Sequence, residues 1–322
     1  MLSWRLLQLD PGNAAEYLAV RGFPLRGAIT PLGGGVSNTV LLAETTHGRL
    51  VVKQALERLR VAEEWLSDPA RTLREAAALR DVAEVLPPGA VPAIAFLDEA
   101  NYVYAMEAAP LGAQDWKTLL LAGDIDPAVG AQIGQLLAQQ IAGTRSAAPW
   151  RERYGDQRVF DELRLDPYYR FTAARHPDLA PYFAQAIARC QEQATSLVHG
   201  DWSPKNMLIA GGRPMLIDYE VVHYGDAAFD AAFCLNHLLL KSFHRPQWRK
   251  QYAAAAAAFW RAASAEVSAD GVKLHLGCLL LARIDGKSPA EYLHDETKPI
   301  LRALARDILV APPRDVLDLW SR

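Results

Sequence analysis

The sequence predicts an α+β protein of two lobes, a small antiparallel β-sheet lobe over residues 1–107 and a larger, mainly helical lobe over 108–322. Three observations lead there. Strand-like stretches separated by short turns fill most of the first hundred residues, helical composition dominates after residue 108, and one pair of short strands interrupts the helical part. Of the 322 residues, 51% are hydrophobic, enough for a sizeable core rather than global disorder.

The elements follow in order. Residues 29–44 run from a short apolar start through a glycine cluster into β-branched and apolar residues, a strand, a turn and a second strand. A turn at Thr46, His47 and Gly48 leads into Leu50, Val51, Val52 and Lys53, and so short a connection predicts an antiparallel hairpin. Residues 70–84 are rich in alanine and leucine with charges to one side, and read as a helix that ends before Pro87, Pro88 and Gly89. Two further strands flank a turn at residues 98–101. Beyond residue 108, helices are expected over 127–143, 178–195, 227–241, 247–265 and 299–309. The alanine run 253–258 is read as strong helix propensity rather than low complexity. Short strands at 207–209 and 215–217 surround a turn at Gly211 and Gly212. There is no internal repeat.

Composition narrows the function classes. A formal net charge of −3 gives no basic excess and so no expectation of nucleic-acid binding. Cys190, Cys234 and Cys278 are odd in number and widely spaced, matching neither a zinc site nor a disulfide framework, and read as buried thiols. No apolar run approaches the length of a membrane span. Arg5 and Asp10 interrupt the short apolar start, which does not read as a signal peptide. A cytoplasmic protein is the expectation.

The most specific signal lies in residues 197–220. His199, Asp201 and Asn206 have the spacing H-x-D-x-x-x-x-N. The hairpin that follows returns the chain so that Asp218 is expected near Asn206. Phosphoryl transfer from ATP needs a carboxylate to orient a hydroxyl and take its proton, oxygen ligands for Mg²⁺, and positive charge near the phosphates. A lone aspartate would read as a solvated loop acid; the complete spacing favours a site.

This segment is similar to the aminoglycoside phosphotransferase and choline kinase superfamily, which shares the protein-kinase-like fold. The resemblance rests on His199, Gly200, Asp201 and Asn206, on Ile217, Asp218, Tyr219 and Glu220, and on the run from Gly225 to Asp230. It implies Asp201 as catalytic base, Asn206 and Asp218 as metal ligands, and Glu220 as a helper. Asp230 opens a helical stretch and is read as an N-cap or as a buried brace for the catalytic loop. Gly200 stands where regulated protein kinases carry an arginine, Tyr219 and Glu220 replace Phe-Gly, and only a short segment follows Asp218. These departures favour a small-molecule kinase over a regulated protein kinase. Lys205 reads equally as a phosphate contact or a surface lysine.

The resemblance also makes residues 1–107 a nucleotide-binding lobe. Lys53 resembles the strand lysine that pairs with the α- and β-phosphates and with a helix glutamate; Glu75 is the expected partner, ahead of Glu63 and Glu64. Gly33, Gly35 and Ser37 belong to a partial glycine-rich loop whose amides would approach phosphate. Met106 and Ala108 lie in the expected hinge, where backbone groups would bind adenine. His237, Lys241, Arg283 and Lys287 are candidates for a cationic acceptor cleft, though each taken singly reads as a surface charge or a satisfied core histidine. Trp202 and Tyr219 either touch substrate or pack the loops. The implied cofactors are ATP and Mg²⁺, and the implied partner is a small-molecule hydroxyl substrate. A scaffold that binds nucleotide without turnover is the alternative, marked by loss of the lysine, base or metal ligands, all of which are present. Aminoglycosides, choline, methylthioribose and homoserine stay open as acceptors, the aminoglycosides with less support, since Asp295 and Glu296 are the only acidic pair near the C-terminus.

Overall fold

The computed structural model describes residues 7–33, 38–56 and 68–320. Two compact units divide the chain, Met1–Leu111 and Gly112–Arg322.

The first unit opens with α1 (Ala14–Val20), followed by β1 (Leu25–Pro31), β2 (Asn38–Thr45) and β3 (Gly48–Ala55). Then come α2 (Arg71–Val82), β4 (Ile94–Asp98) and β5 (Val103–Glu107). The five strands form one antiparallel sheet in the order β1-β2-β3-β5-β4. Side chains alternate across it, as a strand's period of two requires. Leu41, Ala43, Leu50, Val52, Val103 and Ala105 pack on one face with Tyr17 and Leu18 of α1. Val51, Lys53, Tyr104 and Met106 occupy the other set of positions. Tyr17 ties α1 to the sheet by donating its hydroxyl to Asp98 Oδ2 at 2.7 Å.

The second unit contains β6 (Gln114–Asp115), α3 (Trp116–Ala122), α4 (Pro127–Thr144), α5 (Ala148–Tyr154) and α6 (Arg158–Phe160). A π-helical segment, Asp161–Arg170, continues into α7 (Phe171–Arg175) and is followed by α8 (Ala180–Glu192). Next are β7 (Ser196–Val198), a 3₁₀ turn at Pro204–Asn206, β8 (Met207–Ala210), β9 (Arg213–Leu216) and β10 (His223–Gly225). The chain finishes with α9 (Ala228–His244), α10 (Arg249–Ala263), α11 (Ala269–Asp285) and α12 (Thr297–Val310). β6, β8 and β9 make a three-stranded sheet, and β7 pairs with β10.

The alanine run sits in α10, where small side chains let two helices approach closely. A Cβ at Gly130 or Gly134 of α4 would come within 2.6 Å and 2.3 Å of the carbonyl oxygens of Ala255 and Phe259. α9 is buried on nearly every side and forms the middle of this unit.

Several elements lie outside the sequence expectations. α1, α3 and α5 are single short helices with few apolar positions to repeat. α11 carries buried residues on all its faces, so its pattern lacks the apolar stripe that marks a surface helix. The π-helical segment contains Pro167 and departs from the 3.6-residue period.

Candidate active site

The loop from β7 to β8 is built around one buried carboxylate. Asp230, in the first turn of α9, accepts the backbone amides of His199 at 2.7 Å and Gly200 at 2.9 Å. Of the two readings the sequence left for it, the brace is the one present: Ala227 is the N-cap of α9, and Asp230 holds the loop. Burial pushes its carboxyl up to about 7, against the two amides that favour the charged form. Gly200 has φ of +79°, and a Cβ there would lie 2.8 Å from the Val221 carbonyl oxygen, so this position demands glycine.

His199 fixes the next turn. The Asp201 amide donates to His199 Nδ1 at 3.1 Å, so the ring proton sits on Nε2 and is donated to the Ile217 carbonyl at 3.0 Å. Burial lowers the imidazole pKa and keeps the ring neutral. This one side chain therefore joins the Asp201 loop to the segment that carries Asp218.

Asp201 is buried, and its Oδ2 faces two cations, Lys205 Nζ at 2.9 Å and Arg164 Nη2 at 3.0 Å. Burial alone would raise its pKa, but the charges of Lys205 and Arg164 outweigh it and hold the carboxyl far below the usual carboxylate range. Arg164 also donates from Nε to the Gly200 carbonyl at 2.8 Å. It comes from the π-helical segment, and no motif in the sequence pointed to it. Lys205 stays about half-exposed while reaching Asp201.

Asn206 donates its amide Nδ2 to the Asp201 carbonyl at 3.0 Å, which orients Oδ1, and its own carbonyl accepts the Ile217 amide at 3.0 Å. Asp218 follows directly, with φ of +70°, a conformation that few residues other than glycine adopt and that clusters at functional sites. Its charge is felt by His199, Arg164 and Lys205, and the charge of Glu220 by Arg164. An amide oxygen and a carboxylate form a hard donor set that suits Mg²⁺. Among the described residues no group of three or more His, Cys, Asp or Glu side chains could form an all-protein cage.

In the first unit Lys53, on β3, meets Glu75, on α2, with Nζ 2.8 Å from each carboxylate oxygen, and both side chains are buried. Gly33 is exposed with open space around it. Gly35, Ser37, Glu63 and Glu64 lie outside the described residues. Met106 is paired with Val51 on one side and Ile94 on the other. The Ala108 amide donates to the Arg49 carbonyl at 2.9 Å. That amide is engaged within the sheet, so the expected contact of this residue with adenine is narrowed to its carbonyl.

The remaining candidates divide. Trp202 and Tyr219 are buried, the latter donating its hydroxyl to Gln140 Oε1 at 2.7 Å, so of the two readings of these rings loop packing is the one seen. Lys287 makes an exposed ion pair with Asp166 at 3.0 Å. His237 feels the charge of Asp201, Arg283 shares the Tyr168 ring with Arg164, and Lys241 is buried.

Comparison with known proteins gives the chain's family and its fold. The sequence model of the phosphotransferase enzyme family matches residues 28–267. A methylthioribose kinase of Escherichia coli O45:K1 (strain S88 / ExPEC) is 26% identical over 257 residues, covering 70% of this chain and 61% of the relative. The chain therefore spans about three-fifths of the length of that relative. A choline/ethanolamine kinase family protein from Mesorhizobium loti superposes with a TM-score of 0.56 at 18% identity, over 97% of this chain and 89% of that one. Amicoumacin kinase hAmiN, solved with AMP-PNP, Ca²⁺ and Ami, superposes with a TM-score of 0.53 at 14% identity, over 95% and 96%. These likenesses are of fold, and the fold is protein-kinase-like.

Proposed function

Because the chain belongs to the phosphotransferase enzyme family, we propose that it is a kinase that transfers the γ-phosphoryl group of ATP to a hydroxyl of a small molecule. The observation that carries this reading is Asp201: a buried carboxylate, kept ionised by Arg164 and Lys205, on a loop whose backbone is fixed by Asp230.

Asp201 accepts a hydrogen bond from the acceptor hydroxyl, orients its oxygen and receives its proton. A carboxyl held so far below its ordinary range is a weak base, which suits a loose transition state in which the proton leaves late. Most of the rate comes from placing the hydroxyl and from charge already in position. Asn206 and Asp218 hold Mg²⁺, which supplies neutralisation of phosphate charge. Lys53, held by Glu75, takes the α- and β-phosphates. The hinge around Met106 and Ala108 contributes carbonyl acceptors to adenine. Methylthioribose enters the list of acceptors to test because a relative of this chain is named for it.

The test is acceptor-dependent ADP release from Mg²⁺-ATP over hydroxylated metabolites, for the native protein and Asp201→Asn. Turnover is expected to fall at least 1,000-fold in the variant while ADP affinity stays within about twofold, because the base acts on the acceptor. Native-like turnover by Asp201→Asn would remove Asp201 from this role.

A further inference from the structure

Two lines of side chains lead away from Arg164, the residue that touches Asp201. Along α9, Asp230, Phe233, His237 and Lys241 recur at three- and four-residue spacing and so share one face. The Phe233 ring lies under the Arg164 guanidinium, 5.8 Å from Cζ, and the His237 ring lies 5.2 Å from Phe233. One turn further, Lys241 Nζ sits 5.3 Å from the ring of Tyr292. The second line passes through Tyr168, whose ring lies between Arg164 and Arg283 at 5.8 and 5.9 Å. Arg283 Nη1 is 3.3 Å from the Tyr168 hydroxyl. Both lines end on a cation.

Lys241 is only 1% exposed, yet among the described residues its ammonium makes no hydrogen bond and no ion pair. Such a charge is disfavoured unless something pairs with it. The two largest charge effects felt there are of the same sign, from Lys117 and Arg283. Asp115 opposes them, but its carboxylate is engaged in capping α3, accepting the Thr118 amide at 2.9 Å and the Thr118 hydroxyl at 2.7 Å. Burial, followed by Lys117 and Arg283, pushes the ammonium down to about 7.

Other polar atoms nearby are also buried without a partner among the described residues: Arg283 Nε, the Tyr292 hydroxyl and His237 Nδ1. Arg283 Nε can only donate, and the Tyr292 hydroxyl and the His237 ring can each donate as well. A neutral polyol would satisfy hydrogen bonds and leave the charge; a polycation would add to the repulsion. An anion answers both.

We propose that Lys241 and Arg283 form an anion subsite of the acceptor pocket, so that the acceptor is a hydroxylated acid bound through its carboxylate or phosphate. This rests on the kinase reading above and narrows it. It separates this chain from kinases of uncharged or cationic acceptors.

The experiment is calorimetric titration of the Mg²⁺-ADP-loaded protein with sulfate, D-gluconate, D-ribose 5-phosphate and uncharged D-ribose. Saturable binding of at least one anion is expected, weakened tenfold or more in Lys241→Met and retained within threefold in Lys241→Arg, with ribose showing none. The stronger of gluconate and ribose 5-phosphate tells carboxylate from phosphate. Arg283→Gln gives an independent variant should Lys241→Met misfold, and its expected loss is also tenfold. If Mg²⁺-ADP binds and no anion does, or if the anion binds Lys241→Met and Arg283→Gln as well as it binds the native protein, the subsite is refuted and the kinase reading stands. If Mg²⁺-ADP itself fails to bind, the kinase reading falls and takes the subsite with it.

Discussion

Replacing Lys241 by methionine removes a buried ammonium with little change of volume, and burial beside like charges gives the effect its sign. Burial first, then the charges of Lys117 and Arg283, bring the ammonium from its ordinary 10.5 to about 7. The titratable groups around it are Lys117 and Asp115 by α3, Cys234, His237 and His244 on α9, Arg283 on α11, and Tyr292. Between pH 7 and 10.5 the unfolded chain carries a proton that the folded chain has shed, so stability rises with pH across that window, by about 1.4 kcal/mol per pH unit. Below pH 7 the whole penalty is present, on the order of 5 kcal/mol; at pH 9 about 2 kcal/mol remains. Both histidines are held below their ordinary value and stay neutral throughout the window. Methionine bears none of this penalty. Lys241→Met is therefore expected to be more stable than the native protein by about 5 kcal/mol at pH 6.5 and about 2 kcal/mol at pH 9. Urea unfolding followed by tryptophan fluorescence at the two pH values reads the difference. A gap that does not change with pH, or a variant less stable at pH 6.5, would refute the reasoning.

Two further outcomes follow from the buried pairs. Asp230→Ala strands the amides of His199 and Gly200, and at roughly 1–3 kcal/mol for each unsatisfied group it should lose about 2–6 kcal/mol in urea unfolding, with kcat falling more than KM; unchanged stability would mean that the loop holds itself. Lys53→Met should cost about 3–5 kcal/mol by leaving Glu75 buried without the ammonium, and adding Glu75→Leu should restore stability without restoring nucleotide affinity. Native-like ADP binding by that double variant would remove Lys53 from the nucleotide site.

The legible part of the site was the part that short-range spacing encodes. Asp201 and Asn206 share one loop, and the short β8–β9 hairpin returns the chain so that Ile217, next to Asp218, meets Asn206. The meeting of Lys53 with Glu75 was readable because a strand followed by a helix offers few partners. Arg164 was hidden for the opposite reason: it reaches Asp201 from a distant segment whose irregular period carries no pattern. Lys241 was legible as one of four candidates for a cationic acceptor cleft, though taken singly it read as a surface charge. Its meaning comes from burial and from the like charges of Lys117 and Arg283, which tertiary packing alone assembles. α11 was missed because a helix buried all round has no polar face to give it a rhythm.

The π-helical segment that supplies Arg164 makes this protein sensitive to length in a way that composition does not reveal. A π turn takes up more residues than an α turn over the same path. Removing one residue between Asp161 and Arg170 would let the segment relax toward an α-helix and turn what lies on one side of the deletion by about 100° against the other. Arg164 would then lose its aim at Gly200 and Asp201 while every chemical group of the site remained in the chain. The spacing of that stretch is thus a component of the candidate site in its own right, one that an inventory of side chains leaves out.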